Sequence, residues 1–198
     1  MIYLIGGAPR VGKSVVAKLV ADRQYAVLIA MDDLGERVKS FFSQEKSPVP
    51  NFSGDASENT LTPEERVKLH VKSAPMFTAE VDDMVAKAVA RGESLVIEGV
   101  QLFPEHVKSL LTQYGSENFR VLFIGWSDVD GVVDGIMKNT SSNNWLRESN
   151  AEVIRQVAEF VVAYSAYVRD EAKKHDLPYQ ERTGDFDVDV KKYGEALM

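Results

Sequence analysis

The chain has 198 residues, of which 44% are hydrophobic and 27% charged, a composition typical of a single folded domain with a real core. Its formal net charge of −7 argues against a nucleic-acid-binding protein, and the absence of cysteine excludes disulfides and thiolate metal sites. No apolar run is long enough to cross a bilayer and the N-terminus lacks the features of a signal peptide, so a cytoplasmic protein with no membrane partner is expected.

The first segment with recognisable chemistry is residues 7–14, GAPRVGKS, which match the pattern G-x-x-x-x-G-K-[ST]. An apolar run at residues 2–5 predicts a strand before it, and the apolar pattern of residues 15–21 predicts a helix after it. Glycines in this context let backbone N–H groups surround phosphate oxygens, and the helix adds its positive end. The pattern predicts a phosphate loop for a nucleotide, formed by Gly7, Ala8, Pro9, Arg10, Val11, Gly12, Lys13, Ser14 and Val15. Lys13 is expected to reach the β- and γ-phosphates, and the Ser14 hydroxyl to bind Mg²⁺.

A second apolar run, residues 26–30, predicts a parallel strand that is covered on both faces. It is followed by Asp32 and Asp33, and ligands of open α/β sheets bind beyond the carboxyl ends of the strands. Either aspartate is a candidate catalytic base, with Asp32 nearer the strand end, and helix capping is the alternative for both. A short helix is predicted over residues 34–42, where Arg37 would meet an acidic acceptor or form a surface salt bridge.

The polar stretch of residues 43–61 contains two prolines and predicts a mobile loop. Thr62, Pro63 and Glu65 form a capping-box pattern that predicts the start of a long helix. Apolar residues recur every three or four positions up to residue 88, and Pro75 should interrupt the helix before Gly92 ends it. Residues 43–91 are therefore predicted to form a substrate-binding insertion.

A third strand is predicted over residues 94–99 and includes Glu98. Glu98 is a candidate to bind Mg²⁺ alongside Ser14, directly or through a water, with a solvated carboxylate as the alternative. A helix over 104–114, a strand over 119–125 and a helix over 128–138 follow. Residues 138–150 have the composition of a flexible lid, and its Arg147 is a candidate for placing positive charge on the transferred phosphate. Lys138 is a weaker candidate for the same role, and a solvent-exposed side chain is the alternative for Arg147.

Asn150 is expected to cap a long helix, which is followed by a last strand over residues 177–181 and a helix over 188–197. Strands that alternate with helices predict a parallel sheet flanked by helices on both sides, in one domain spanning residues 1–198. The three histidines share no metal-ligand spacing and are expected to be structural or exposed. The aromatic residues Trp126, Tyr164 and Tyr167 are expected to pack rather than stack on a base.

The loop of residues 6–14, the strand ending at residues 31–34 and the lid arginine together resemble small-molecule kinases of the nucleoside-monophosphate-kinase-like P-loop group. Residues 96–104, VIEGVQLFP, are similar to the IEG-V-H-L-x-P stretch of 2-phosphoglycerate kinases, with Gln101 in place of the histidine. The resemblance implies a three-layer α/β sandwich of P-loop NTPase type with strand order 2-3-1-4-5. It assigns the base to Asp32, and it places adenine between the lid and residues 182–185, with Thr183 as a contact.

These features predict a kinase that uses ATP and Mg²⁺ to phosphorylate a small acceptor bound by residues 43–61 and the long helix. A kinase acting on an antibiotic, a nucleoside or a nucleotide-sugar shares the same motifs. A nucleotide-binding regulatory module without turnover is the alternative from another class of protein. A GTPase is disfavoured because the sequence has no Asn-Lys-x-Asp segment for guanine.

Overall fold

A five-stranded parallel sheet lies at the centre of the computed structural model, which describes residues 1–40, 61–139 and 145–198. The strand order is β2-β3-β1-β4-β5, as predicted. The strands are β1 (Ile2–Gly7), β2 (Val27–Ala30), β3 (Leu95–Glu98), β4 (Phe119–Gly125) and β5 (Tyr179–Glu181). The helices are α1 (Lys13–Gln24), α2 (Met31–Ser40), α3 (Pro63–Ser73), α4 (Pro75–Arg91), α5 (Pro104–Tyr114), α6 (Val129–Lys138), α7 (Ala151–Lys174) and α8 (Phe186–Leu197), with short 3-10 helices at Ser116–Asn118 and Trp145–Glu148.

Strand β1 is the central strand, and all six of its residues are buried. Its register places Ile5 beside Glu98 of β3, and Glu98 beside Ala30 of β2. The carboxyl ends of these three strands therefore meet at one edge of the sheet. The phosphate loop follows β1, α2 follows β2 and Glu98 ends β3, so the topology brings the sequence-predicted site residues to that edge.

Strand β2 is less buried than its sequence indicated. It is an edge strand that pairs with β3, and the side chains of Val27 and Leu28 are 61% and 38% exposed. The prediction that it is covered on both faces is wrong, because a run of apolar, β-branched residues reflects strand propensity as well as burial. Helix α2 follows without an intervening loop and begins at Met31, three residues earlier than predicted.

The predicted long helix is two helices, as the proline indicated. The Thr62 hydroxyl accepts the Glu65 N–H at 3.2 Å, and the Glu65 carboxylate accepts the Thr62 N–H at 2.8 Å, which confirms the capping box. Ala74 joins α3 to α4, whose first residue is Pro75. Gly92 ends α4 in the left-handed conformation, with φ 65°.

Helix α7 packs on α3, α6 and β4. The Asn150 side chain accepts the Val153 N–H at 2.9 Å, and this bond confirms the predicted cap. The buried Tyr164 hydroxyl donates to the Val100 carbonyl at 2.6 Å, which ties α7 to the segment after β3. No helix within the three described ranges is both long and apolar enough to cross a membrane.

Two predicted segments lie wholly or partly outside the described residues. The loop predicted over residues 43–61 lies there except for Leu61. The centre of the predicted lid, residues 140–144, lies there as well.

Candidate functional site

The phosphate loop, the first turn of α2 and the end of β3 line one cleft of about 1090 Å³. Lys13, Ser14, Asp32 and Glu98 all contribute to its wall, so the structure brings together four residues that the sequence singled out. The cleft extends past the segment after β3 to helices α3, α6 and α7, and past the loop after β5 to α8. This extent provides space for a nucleotide and a second small molecule.

The path of the phosphate loop depends on two glycines with positive φ, Gly7 at 121° and Gly12 at 97°. A Cβ at Gly7 would collide with the backbone of Ile124, whose carbonyl accepts the Ala8 N–H at 3.0 Å. A Cβ at Gly12 would meet the Phe186 ring of α8 at 2.9 Å. The loop is therefore held against β4 on one side and α8 on the other, and its shape requires glycine at both positions.

Lys13 is buried in the first turn of α1, and its Nζ donates to the Ala8 carbonyl at 2.6 Å. This bond holds the lysine across the mouth of its own loop. Burial lowers the pKa of Lys13, and the nearby charges of Glu98 and Asp32 oppose that effect. The two carboxylates favour the charged form of Lys13, and a charged lysine at a phosphate loop is suited to bind the β- and γ-phosphates of a nucleotide.

Glu98 and Ser14 form an oxygen pair beside the lysine. The Ser14 hydroxyl donates to Glu98 Oε1 at 2.9 Å. Burial raises the pKa of Glu98, while Lys13 and the Ser14 bond oppose the shift. Mg²⁺ takes one or two protein oxygens and completes its shell with water and substrate phosphates, so this pair fits it. The described ranges hold no group of three or more acidic, histidine or cysteine side chains placed to bind a metal ion.

Both candidate bases are exposed in the first turn of α2, where an acidic side chain interacts favourably with the helix dipole. Since α2 begins at Met31, they lie inside the helix rather than at its cap. Asp32 lines the cleft, and its charge acts on Lys13, Arg10 and Glu98. The charge of Asp33 also acts on Glu98, but Asp33 is not among the residues that line the cleft, and this position distinguishes Asp32 from it.

Arg66 is a cleft residue that the sequence interpretation missed. Its side chain is 4% exposed, and its guanidinium carbon lies 4.6 Å from the centre of the Phe160 ring. Both residues line the cleft near Val100. The spacing of Arg66, His70 and Ser73 places all three on one buried face of α3. Polar residues at this spacing beside Val67 were the sequence feature that could have indicated a buried polar site on this helix.

The loop after β5 contributes Arg182 and Gly184 to another wall of the cleft, whereas the predicted contact Thr183 is not among the lining residues. The Arg182 guanidinium carbon lies 3.8 Å from the Trp126 ring centre and 5.1 Å from that of Phe186. The Thr183 N–H and hydroxyl both donate to the buried Asp189 carboxylate, at 2.9 and 2.8 Å. These two bonds hold the loop in place. Because they engage the N–H and the hydroxyl of Thr183, a ligand near Thr183 would contact the remaining atoms of that residue. Trp126 packs as predicted, and it also lines the cleft.

The other residues that the sequence singled out are three basic residues and the histidines. Arg147 lies in the 3-10 helix Trp145–Glu148, and the side chains of Arg147 and Arg37 fall outside the described part of the chain. Lys138 lines the cleft and forms an exposed pair with Asp134 at 3.3 Å. Among the histidines, His70 packs on Phe160 with ring centres 5.3 Å apart. His106 lies 2.7 Å from Asp82, and His175 lies 3.5 Å from Glu171, so the histidines are structural as predicted.

Comparison with known proteins identifies kinases. No family model matches the chain. A 2-phosphoglycerate kinase of Methanothermobacter thermautotrophicus is 28% identical over 193 residues, covering 91% of this chain and 60% of that protein. A mevalonate-3-phosphate 5-kinase of Thermoplasma acidophilum is 25% identical over 117 residues, covering 56% of this chain and 55% of that protein. The chain thus spans less than two thirds of the length of these curated relatives.

A solved structure of shikimate kinase from Bacteroides thetaiotaomicron aligns over 100% of this chain and 95% of its own, with a TM-score of 0.50 and 12% identity. At this identity the match shows the fold alone, a P-loop kinase fold. The chain is therefore similar in sequence to two kinases and in fold to a third. These matches do not single out the nucleoside-monophosphate-kinase-like group.

Proposed function

We propose that the protein is an ATP-dependent phosphotransferase that moves the γ-phosphoryl group to a small acceptor carrying an acidic group. The observation that supports this most strongly is the convergence of Lys13, the Ser14–Glu98 pair and Asp32 in one cleft. A phosphate loop, a metal-binding oxygen pair and a carboxylate for the acceptor are the parts that phosphoryl transfer requires.

The nucleotide half of the proposed site is the phosphate loop together with residues 182–185. Backbone N–H groups of residues 10–14 would surround the polyphosphate, and Lys13 would bind its β- and γ-oxygens. The adenine of ATP would lie near Thr183, beside the stacked side chains of Arg182 and Trp126. Mg²⁺, held by Ser14 and Glu98, would neutralise charge on the β- and γ-phosphates.

The acceptor half is proposed at Arg66. A buried guanidinium stacked on Phe160 in the cleft wall is suited to pair with a phosphate or carboxylate. The names of both relatives specify acceptors that already carry a phosphate, which agrees with an acidic group here. We further propose that the segment around residues 43–91 is the acceptor-binding insertion, and that residues 138–150 form a lid.

In the proposed reaction an acceptor hydroxyl oxygen attacks the γ-phosphorus and forms a new P–O bond. The bond from the γ-phosphorus to the β,γ-bridging oxygen breaks, and its electron pair leaves with ADP. The hydroxyl proton passes to the Asp32 carboxylate, with Asp33 as the alternative base. Arg147 would add positive charge to the transferred group when the lid closes.

The test is ADP formation by the wild type, Asp32→Asn and the matched control Asp33→Asn, with 2-phosphoglycerate, mevalonate 3-phosphate and neutral glycerol as acceptors. We expect turnover that requires Mg²⁺ and an acidic acceptor, and that falls by about 100-fold or more in Asp32→Asn only. Tight ATP binding without turnover on a broad acceptor panel would instead favour a regulatory module. A larger loss in Asp33→Asn would move the base to Asp33.

A second pair of variants tests the acceptor half. Arg66→Met should raise KM for the acidic acceptor by about tenfold or more while leaving the affinity for ATP unchanged. Lys68→Met, on the exposed side of the same helix, is the matched control and should change neither value. Equal effects of the two substitutions would contradict an acceptor-binding role for Arg66.

A further inference from the structure

Arg10 has a backbone conformation that is unfavourable for its residue type. Its φ is 64°, in the left-handed region where a Cβ is crowded by the following peptide. Within the described ranges, the other non-glycine residues with positive φ are Tyr25 and Asp176. Both lie where a helix ends, α1 and α7 respectively, and left-handed residues commonly end helices. Arg10 ends no helix, so this explanation does not apply to it.

The surroundings of Arg10 indicate why an arginine stands at this position. Arg10 is half-buried and lines the cleft together with Lys13 and Asp32. Burial lowers the pKa of its guanidinium, and the charge of Asp32 opposes that shift, so the two groups act on each other inside the cleft. Glycine would adopt this turn conformation without the strain, so the backbone alone does not explain an arginine at this position.

We propose that Arg10 is a catalytic residue that contacts the γ-phosphoryl group as it passes from the nucleotide to an acceptor held at Asp32. This inference rests on the function proposed above and assigns a role to one residue of the phosphate loop. Lys13 is held against the loop by its bond to the Ala8 carbonyl, whereas Arg10 lines the cleft together with Asp32, beside which the acceptor would lie.

The chemical role follows from the charge that develops during transfer. As the acceptor oxygen–phosphorus bond forms and the bond to the ADP oxygen breaks, negative charge spreads over the three equatorial oxygens. The guanidinium of Arg10 keeps its protons throughout and donates hydrogen bonds to two of those oxygens, while the acceptor proton goes to Asp32. Such an interaction is stronger in the transition state than in the ground state, so it raises kcat more than it strengthens ATP binding.

Arg10→Gly tests the proposal because it removes the guanidinium and also suits the backbone. We expect kcat to fall by about 100-fold or more while Kd for ATP changes by less than about threefold. The melting temperature should stay the same or rise, since the strain is relieved. Arg10→Lys keeps a charge and should recover part of the lost kcat. A purely structural role predicts the reverse: a lower melting temperature and an unchanged kcat.

Tyr25→Gly is the matched control, because Tyr25 has φ 51° and a side chain that is 95% exposed. It should raise the melting temperature without changing kcat. Unchanged kcat in Arg10→Gly, with an active wild type, would overturn the role of Arg10 and leave the proposed function standing.

If the wild type turns over no acceptor, the proposed function fails. Arg10 is then judged by binding of ADP and Mg²⁺ with and without aluminium fluoride, which imitates the transferred phosphoryl group. Aluminium fluoride should tighten ADP binding to the wild type by about tenfold or more, and this gain should be lost in Arg10→Gly. An equal gain in both proteins, or none in the wild type, would overturn the inference.

Discussion

Replacing Gly7 by alanine should destabilise the fold and weaken ATP binding together. Gly7 has φ 121°, and a Cβ there would collide with the backbone of Ile124 in β4. Gly184 has a similar φ of 105°, but a Cβ there would have no atom within 4 Å. The difference between the two alanine variants therefore measures the collision separately from the backbone strain.

The size of the effect follows from these two contributions. An alanine forced into positive φ costs about 1–3 kcal/mol at either position. At Gly7, displacement of β1 against β4 adds about 1–3 kcal/mol. The total of about 2–6 kcal/mol is large beside a typical stability of about 5–15 kcal/mol. In a chain of this length, 1 kcal/mol shifts Tm by about 2–4 °C, so Gly7→Ala should melt roughly 4–24 °C below the wild type and Gly184→Ala roughly 2–12 °C below it.

Urea unfolding followed by circular dichroism measures the stabilities, and isothermal titration calorimetry measures the affinity for ATP with Mg²⁺. The affinity should fall by about tenfold or more in Gly7→Ala, because the Ala8 N–H and the amides after it would move. Gly92→Ala, at the end of α4 with φ 65°, should lose stability without losing affinity. Equal losses of stability at Gly7 and Gly184 would refute the collision, and an unchanged ATP affinity in Gly7→Ala would refute the role of the loop.

Three further predictions concern Glu98, Tyr164 and Thr62. Burial raises the pKa of Glu98 above 4.5, so the ionised form of Glu98 destabilises the fold at neutral pH. This loss of stability is relieved as the pH falls through the raised pKa toward 4.5. The unfolding free energy of the wild type relative to Glu98→Gln should therefore increase from pH 7 to pH 5 in urea titrations, and parallel pH profiles would contradict the assignment. Tyr164→Phe should cost about 1–3 kcal/mol in the same assay because it leaves the buried Val100 carbonyl without its donor, whereas a neutral effect would mean that the carbonyl finds another partner. Thr62→Ala should cost about 0.5–2 kcal/mol and speed hydrogen exchange in the first turn of α3, and unchanged exchange there would show that the cap contributes little.

Local signals in the sequence determined much of the fold. The capping box at Thr62, the break at Pro75 and the cap at Asn150 each depend on residues within one helical turn, so sequence alone could place these helix boundaries. Alternation of strands and helices gave the parallel sheet, and the phosphate-loop resemblance gave the order of its strands.

Features that depend on spatial neighbours could not be predicted in this way. The exposure of β2 follows from its position at the edge of the sheet, which its own residues do not encode. The sequence predicted Glu98 near Ser14, 84 positions away, but the direct hydrogen bond between them follows from the register of β1 with β3. Arg66 was missed because its burial arises from packing of α3 on α7, and one arginine among the other charged residues of this helix gives only a weak local signal.

The break between α3 and α4 bears on the proposed role of Arg66. Pro75 has no N–H to continue the helical bonding, so Ala74 alone joins the two helices. Phe77, Val81 and Val85 of α4 are buried, while α3 carries Arg66 and packs on α7. If Arg66 binds the acceptor as proposed, substitutions at this junction would re-aim the guanidinium while leaving the phosphate loop in place. Acceptor preference would then change without a loss of nucleotide binding.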